Sequence, residues 1–317
     1  MFGTAGGLRH HVNFDAGHNY GLANRQALYE FLGDVFFAGS KDFSAEEIPS
    51  AGDLRTMAEL RVPLPDRSQD FHTLATRLSE NLPRDGDVPS APAAFNRWQG
   101  RYRRKLRDII RWCDFSVRAQ ERTSQNEGGL RITRSRLSLV GIWTVPAVEF
   151  ASDDAAGTTL VFGDSGRAEL GSEIRSLLDQ NQRVVAIDPF YFGESRIETR
   201  DFLFALLVSA LGERPLGIEA SQVASVARWL KQKYGAISVT AYGPRTSLIT
   251  LVAAAVETDA IRDVKLVRAM STLREPIERD ITAVEAPELF CFGLLESFDV
   301  KPLIALVSPR EVAVRPH

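Results

Sequence analysis

The apolar positions of this chain fall into two regimes that meet near residue 130. In "RQALYEFLGDVFF", Ala27, Leu28, Phe31, Leu32, Val35 and Phe36 recur at three- and four-residue steps. That spacing predicts an amphipathic helix from about Arg25, with Asn24 as its cap. The preceding "LRHHVNF" has the composition of a short strand. Residues 39 to 93 change character: "IPSAGDLR", "VPLPDRSQ" and "LPRDGDVPSAPAA" are rich in Pro, Asp and Ser. They predict a long connection with one short helix over 69–81, and a domain boundary, because so long a stretch sits poorly inside one compact core. Trp98, Tyr102, Leu106, Ile109 and Ile110 then mark a second helix, expected over 94–121. Its opposite face carries Arg101, Arg103, Arg104, Lys105, Arg107 and Arg111. No nucleic-acid motif accompanies these cations, so the face reads as a solvated surface.

Beyond 130 the rhythm becomes strand and helix in alternation. Strands are expected at 131–140, 142–150, 158–163, 183–188, 236–241, 264–270 and 311–315. Helices are expected at 167–181, 199–211, 219–234, 246–257 and 299–307. The later strands are short, apolar and β-branched, as in a sheet covered on both faces. Alternation with helices implies a mainly parallel sheet with right-handed crossovers. The first two strands are longer and alternate more, which suits an antiparallel start to a mixed sheet. The fold class expected is α/β, a mainly parallel sheet with helices on both faces, preceded by an N-terminal helical and linker region.

The bulk numbers narrow the function. The chain has 317 residues, 44% hydrophobic and 25% charged, with a net charge of -3. These values fit an ordinary globular protein and give no electrostatic reason to expect nucleic acid or an anionic membrane as partner. The two cysteines, Cys113 and Cys291, lie far apart. The five histidines form no ligand-type spacing. Neither a disulfide framework, a metal site nor a cofactor is expected. No apolar run reaches 18 residues, and the N-terminal stretch lacks the features of a signal peptide. A cytoplasmic location is the default, with secretion open if Met1 is not the native start.

The candidate chemistry centres on "ISVTAYGPRTSLITLVAAAV", a strand, a sharp turn and a helix. Five stretches resemble the α/β-hydrolase superfamily, in its acetyl xylan esterase and dienelactone-hydrolase-like branch. "TTLVFGDSGR" is similar to the third strand and the loop that supplies an oxyanion-hole N–H. "RVVAIDPFYFGESR" is similar to the fourth strand and its turn, with Asp188, Gly193 and Ser195 matching and Phe190 in place of an arginine. "IEASQVASVARWLKQKYG" resembles the helix before the nucleophile. "FGLLESFDVKPLIALVSPREVAVR" resembles the helix and strand that lead to the acid loop, with Glu311 for a proline. "FDAGHNYGLANRQALYEFLGDVF" looks like the end of such a hydrolase, where His18 matches the catalytic histidine. Because the ending piece comes first, the resemblance implies a tandem-unit protein. Residues 1–38 then read as the terminal strand–helix piece of one unit, 39–129 as linker and helical region, and 130–317 as a second, C-terminally incomplete unit. A circular permutation would instead dock residues 8–38 beside the strand at 311–315.

Set against a serine hydrolase, the bend reads Gly243-Pro244-Arg245-Thr246-Ser247 where G-x-S-x-G is required. Arginine stands in the nucleophile position, and it is no nucleophile. The acid would follow residue 315, where only Pro316 and His317 remain. Asp299 reads as a helix cap, Asp188 as structural, and His72 has no evident partner. Ser165 in "GDSG" reads as a turn serine that could line a pocket, with Gly166 and Arg167 offering N–H groups. Three functional readings follow. The first is an acetyl xylan esterase-like unit without catalysis, packing against another hydrolase unit. The second is a carboxylester hydrolase acting on an acetylated carbohydrate or small ester, with Ser247 as an unorthodox nucleophile and His18 as base. The third is an anion-binding module, with Arg245 at a helix N-terminus holding a carboxylate or phosphate.

Overall fold

The computed structural model describes residues 7–82, 88–197 and 204–316. The chain divides into two compact units, Met1–Ser68 and Gln69–His317. The first holds one long helix, α1 (Leu22–Phe36), which buries none of its residues. Around it Arg25 pairs with Glu47, and Phe37 stacks on Phe43 at 4.6 Å. The expected strand at "LRHHVNF" does not form. Nor does Asn24 cap α1: the helix starts earlier, after Gly21, and the Asn24 amide donates to the Asn19 carbonyl at 2.9 Å.

The second unit is built on one eight-stranded sheet. Its strands are β1 (Val117–Glu127), β2 (Leu130–Leu139), β3 (Trp143–Ala151), β4 (Gly157–Gly163), β5 (Gln182–Ile187), β6 (Ile237–Tyr242), β7 (Ile261–Ala269) and β8 (Val312–Pro316). Their order across the sheet is β1-β2-β3-β5-β4-β6-β7-β8. Pairings from β1 through β3 to β5 are antiparallel, and the rest are parallel. The helices are α2 (Phe71–Ser79), α3 (Pro92–Ile110), α4 (Gly171–Leu178), α5 (Phe204–Ala210), α6 (Pro215–Tyr234), α7 (Pro244–Val256), a single turn α8 (Glu275–Glu278) and α9 (Val300–Val307). The expected helix at 199–211 lies partly outside the described residues.

Period-two alternation in the central strands builds a core on each face of the sheet. Leu160, Phe162, Val185, Ile187, Val239 and Ala241 join one cluster with α3, α6, α7 and α9. Val161, Val184, Ala186 and Tyr242 point the other way and pack on Leu170 and Ile174 beside α4. Helix α7 is buried from Thr246 to Val256, so it shows no amphipathic stripe. Its last carbonyls are held by arginines. Arg103 Nε donates to Ala255 at 2.7 Å, and Arg310 donates to Ala254 at 2.5 Å and to Glu257 at 2.9 Å. Cations at a helix C-terminus also complement its dipole.

One expectation fails in an instructive place. The helix expected over 94–121 stops at Ile110, where Arg111 takes a left-handed φ of 57°. The chain leaves because α6 provides better partners. Ser221 Oγ accepts from Cys113 N at 3.0 Å, and Ser225 Oγ accepts from Phe115 N at 3.3 Å. Gly217 lets α6 come this close: a Cβ there would lie 1.6 Å from the Ile110 carbonyl oxygen. The chain then enters β1 at Val117, a strand absent from the sequence-based expectation.

Candidate functional site

The parallel strands aim their carboxyl ends at one edge of the sheet, where open α/β sheets bind ligands. There β6 ends at Tyr242, Gly243 turns the chain at φ 126°, and α7 starts with Pro244 as its first residue. Proline suits that position, because its φ is helical and its missing N–H is not needed there. Only Gly243 has a positive φ in this turn; Arg245, Thr246 and Ser247 do not.

The free N–H groups of α7 are filled from outside the helix. The Asp164 carboxylate, on the loop after β4, accepts from Arg245 N at 3.1 Å and from Thr246 N at 2.8 Å. It also accepts from Thr246 Oγ1 at 2.7 Å. Asp164 thus does from across the sheet what an N-cap side chain does locally, and adds a negative charge at the positive end of the helix. Gly243 makes room for it, since a Cβ there would sit 2.2 Å from the Asp164 Cγ.

The Arg245 side chain turns inward. Its Nε and Nη2 bind the two carboxylate oxygens of Glu288, the Nη2 contact at 3.1 Å, and its guanidinium lies 4.5 Å from the centre of the Phe192 ring. This is the bidentate fork that arginine makes with a carboxylate. Glu288 is fully buried. Burial pushes its carboxyl above the usual range, with the Arg245 hydrogen bond opposing. Beside it lies Glu219 of α6, also 0% exposed, with neither carboxylate oxygen partnered among the described residues. Burial, then the Glu288 charge, holds Glu219 well above the usual carboxylate range, with Arg245 opposing. The guanidinium hydrogen-bonds Glu288 alone, so Glu219 is left without a partner among the described residues and burial favours its neutral form. Among the described residues no group of three or more His, Cys, Asp or Glu is placed to hold a metal ion.

The other sequence-derived candidates are placed as follows. Ser247 is 1% exposed, and its Oγ has no hydrogen-bond partner among the described residues. It borders a minute cavity of about 10 Å³ with Leu251, Leu266, Met270 and Val300. His18 lies exposed in a loop of the first unit. Gly166 and Arg167 do not offer the free N–H groups expected of them: Gly166 N donates to Gly163 O at 2.9 Å and Arg167 N to Asp188 Oδ1 at 2.7 Å. The Arg167 guanidinium pairs with Asp188 and Glu194. Asp188 also accepts from Glu194 N at 2.9 Å, so it ties two turns together. Asp299 accepts from Val300 N at 2.7 Å and from Leu273 N at 2.6 Å, as a cap and a brace. His72, expected to be unpartnered, has Nδ1 3.3 Å from Asp280. His317 lies outside the described residues.

No family model matches the chain, and no curated protein matches it. Solved structures do. A protein from Bacteroides fragilis assigned as an acetyl xylan esterase is 14% identical, with a TM-score of 0.64 over 80% of this chain and 77% of its own. A methylesterase, 14% identical, superposes with a TM-score of 0.53 over 77% of this chain and 54% of its own. An esterase of the CE15 type from a marine bacterial metagenome, 11% identical, gives 0.51 over 70% and 74%. The protein has the α/β-hydrolase fold. The mixed sheet, the antiparallel start and the strand–turn–helix at 237–256 all agree with the expected class. Asp164, Glu219 and Glu288 were not singled out from the sequence. The one signal available was an acid set among small and apolar residues, as in "LGIEASQVASV" and "VEAPELFCF", which marks an acid that needs a partner if it is buried.

Proposed function

We propose that the second unit is an acetyl xylan esterase-like α/β-hydrolase that is catalytically silent, with Arg245 in the nucleophile position. The observation that carries this reading is the Asp164 carboxylate seated on the N–H groups of Arg245 and Thr246. In an active hydrolase of this fold, the N–H of the residue after the nucleophile stabilises the oxyanion. Here that donor is the Thr246 N–H, and a fixed negative charge already takes it. An oxyanion developing beside Asp164 would meet repulsion instead of stabilisation. The second donor would come from the loop after β4. Asp164 N, Gly166 N and Arg167 N are all committed, to Tyr242 O at 3.0 Å, Gly163 O and Asp188. Nothing at the bend can attack, because the arginine is charged and tied to Glu288. Ser247 is a poor substitute: it is enclosed, it lies on the unstrained helix, and no base reaches it.

Arg245 is, on this reading, a structural cation. The anion-binding reading needs its guanidinium and the α7 N-terminus free, and both are engaged. The role that remains is that of a shaped, non-catalytic unit, able to pack against a hydrolase unit or to hold an ester-like or acetylated ligand without turning it over. The test is hydrolysis of p-nitrophenyl acetate by the full chain. We expect no turnover above buffer. Turnover that disappears in Ser247→Ala or His18→Ala would establish a living esterase and overturn the proposal.

A further inference from the structure

A second feature at the same edge of the sheet is apolar. A half-open cavity of about 180 Å³ lies between the start of α7 and the chain that follows β7. Leu248, Met270, Leu273, Leu289, Leu294 and Leu295 are among its walls, and every residue lining it is apolar, aromatic, proline or cysteine. Leu248 is one turn on from Arg245, and Leu289 follows Glu288, so the buried ion pair fixes two of these walls. An apolar cavity of about 150 Å³ is large enough to hold benzene and stays dry when empty. This one has the capacity for a single ring or a short alkyl chain.

A cation lies beside two of the wall residues. Phe292 is 66% exposed, and the Arg214 guanidinium lies 5.2 Å from the centre of its ring. Arg214 Nη1 donates to the Glu213 carbonyl at 3.0 Å, while its Nε is buried with no partner among the described residues. The neighbouring Cys291 forms part of the wall. Burial pushes its thiol up to about 12, against the pull of Arg214, so it stays neutral and behaves as a small apolar group. The pocket therefore combines an apolar chamber with one under-used cation packed beside two of its wall residues, Phe292 and Cys291. Clefts of this kind, at the carboxyl ends of parallel strands, are where such sheets take small ligands.

We propose that this pocket binds a small apolar monocarboxylate, with its ring or short chain in the chamber and its carboxylate on Arg214. A single guanidinium forms a bidentate pair with one carboxylate, and the all-apolar chamber calls for an apolar tail behind it. The inference does not depend on whether the unit is catalytic. The experiment titrates hexanoate and 1-hexanol separately into the full chain by calorimetry, and repeats both with Ile277→Trp and Arg214→Gln. Ile277 lines the chamber and is only partly buried, so a tryptophan there fills the space with little disturbance of the core. Unchanged melting temperatures confirm that both variants are folded. We expect saturable hexanoate binding, weakened at least about tenfold in Arg214→Gln. Hexanol binding should be the same in wild type and Arg214→Gln, and Ile277→Trp should lose both ligands. Absence of saturable hexanoate binding, or binding untouched by Ile277→Trp, refutes the site. Equal hexanoate affinity in wild type and Arg214→Gln refutes the carboxylate contact.

Discussion

Replacing Arg245 by methionine is the most direct probe of the site, because it removes one half of a buried pair and keeps the apolar stem. Glu288 is 0% exposed, and its two carboxylate oxygens rely on the guanidinium. Breaking a buried pair from one side costs about 3–5 kcal/mol, since the remaining charge has neither water nor a partner. Loss of the contact with Phe192 at 4.5 Å adds about 0.5–2 kcal/mol. For a unit of this size, each kcal/mol lowers Tm by about 2–4 °C, so the expected drop is roughly 7–28 °C. Removing both charges, as in Arg245→Met with Glu288→Leu, should restore most of the loss, because an apolar pair of similar volume is often neutral or better. The penalty also has a pH signature. Without the guanidinium, the Glu288 carboxyl is raised further, so the protonated form is the one that folds. The stability lost on mutation is then small below the unfolded value of 4.5 and grows as pH rises through the folded pKa. Urea unfolding at several pH values reads both effects, with the m-value confirming a two-state comparison. A single variant within about 1 kcal/mol of wild type at pH 7, or a double variant as unstable as the single, would show that the pair is not the anchor argued here.

Three further substitutions test neighbouring parts. Glu219→Gln keeps shape and removes the charge; since the folded pKa is raised, wild-type stability falls as pH climbs from 4.5. The variant should be more stable at pH 7, with the gap closing below pH 4.5, and a flat difference across a thermal series at several pH values would contradict it. Asp164→Ala should cost about 1–2 kcal/mol as a lost cap and expose the α7 N–H groups, so sulfate should raise the Tm of the variant and not of wild type. Gly217→Ala drives a methyl toward the Ile110 carbonyl and should destabilise by about 1–3 kcal/mol in denaturant unfolding; a neutral result would mean that α3 and α6 are not in close contact.

The fold was legible because its signals are local. The strands of the parallel half read as short apolar runs, and the covered sheet follows from them; β4 to β8 lie within a few residues of their expected positions. The start of α6 at Pro215 was also written in the chain, as a proline at a first helical position, yet the expected helix began at 219. β1 was hidden for a different reason. "SVRAQERTSQNE" has little strand propensity and a helical neighbour, and only pairing with β2 and the serines of α6 makes it a strand. The site divides in the same way. The bend at 243–247 is a local strand–turn–helix motif, so its position could be read directly. What now fills the bend comes from far along the chain: Asp164 is 81 residues from Arg245 N, and Glu288 is 43 from its side chain. No periodicity encodes such pairings, because each acid is free to be a surface residue until the fold brings it to its cation. A glycine at 243, an aspartate at 164 and a glutamate at 288 become one feature only in three dimensions. An arginine enclosed at the centre of a sheet edge therefore has to be read together with the carboxylates that burial obliges to meet it.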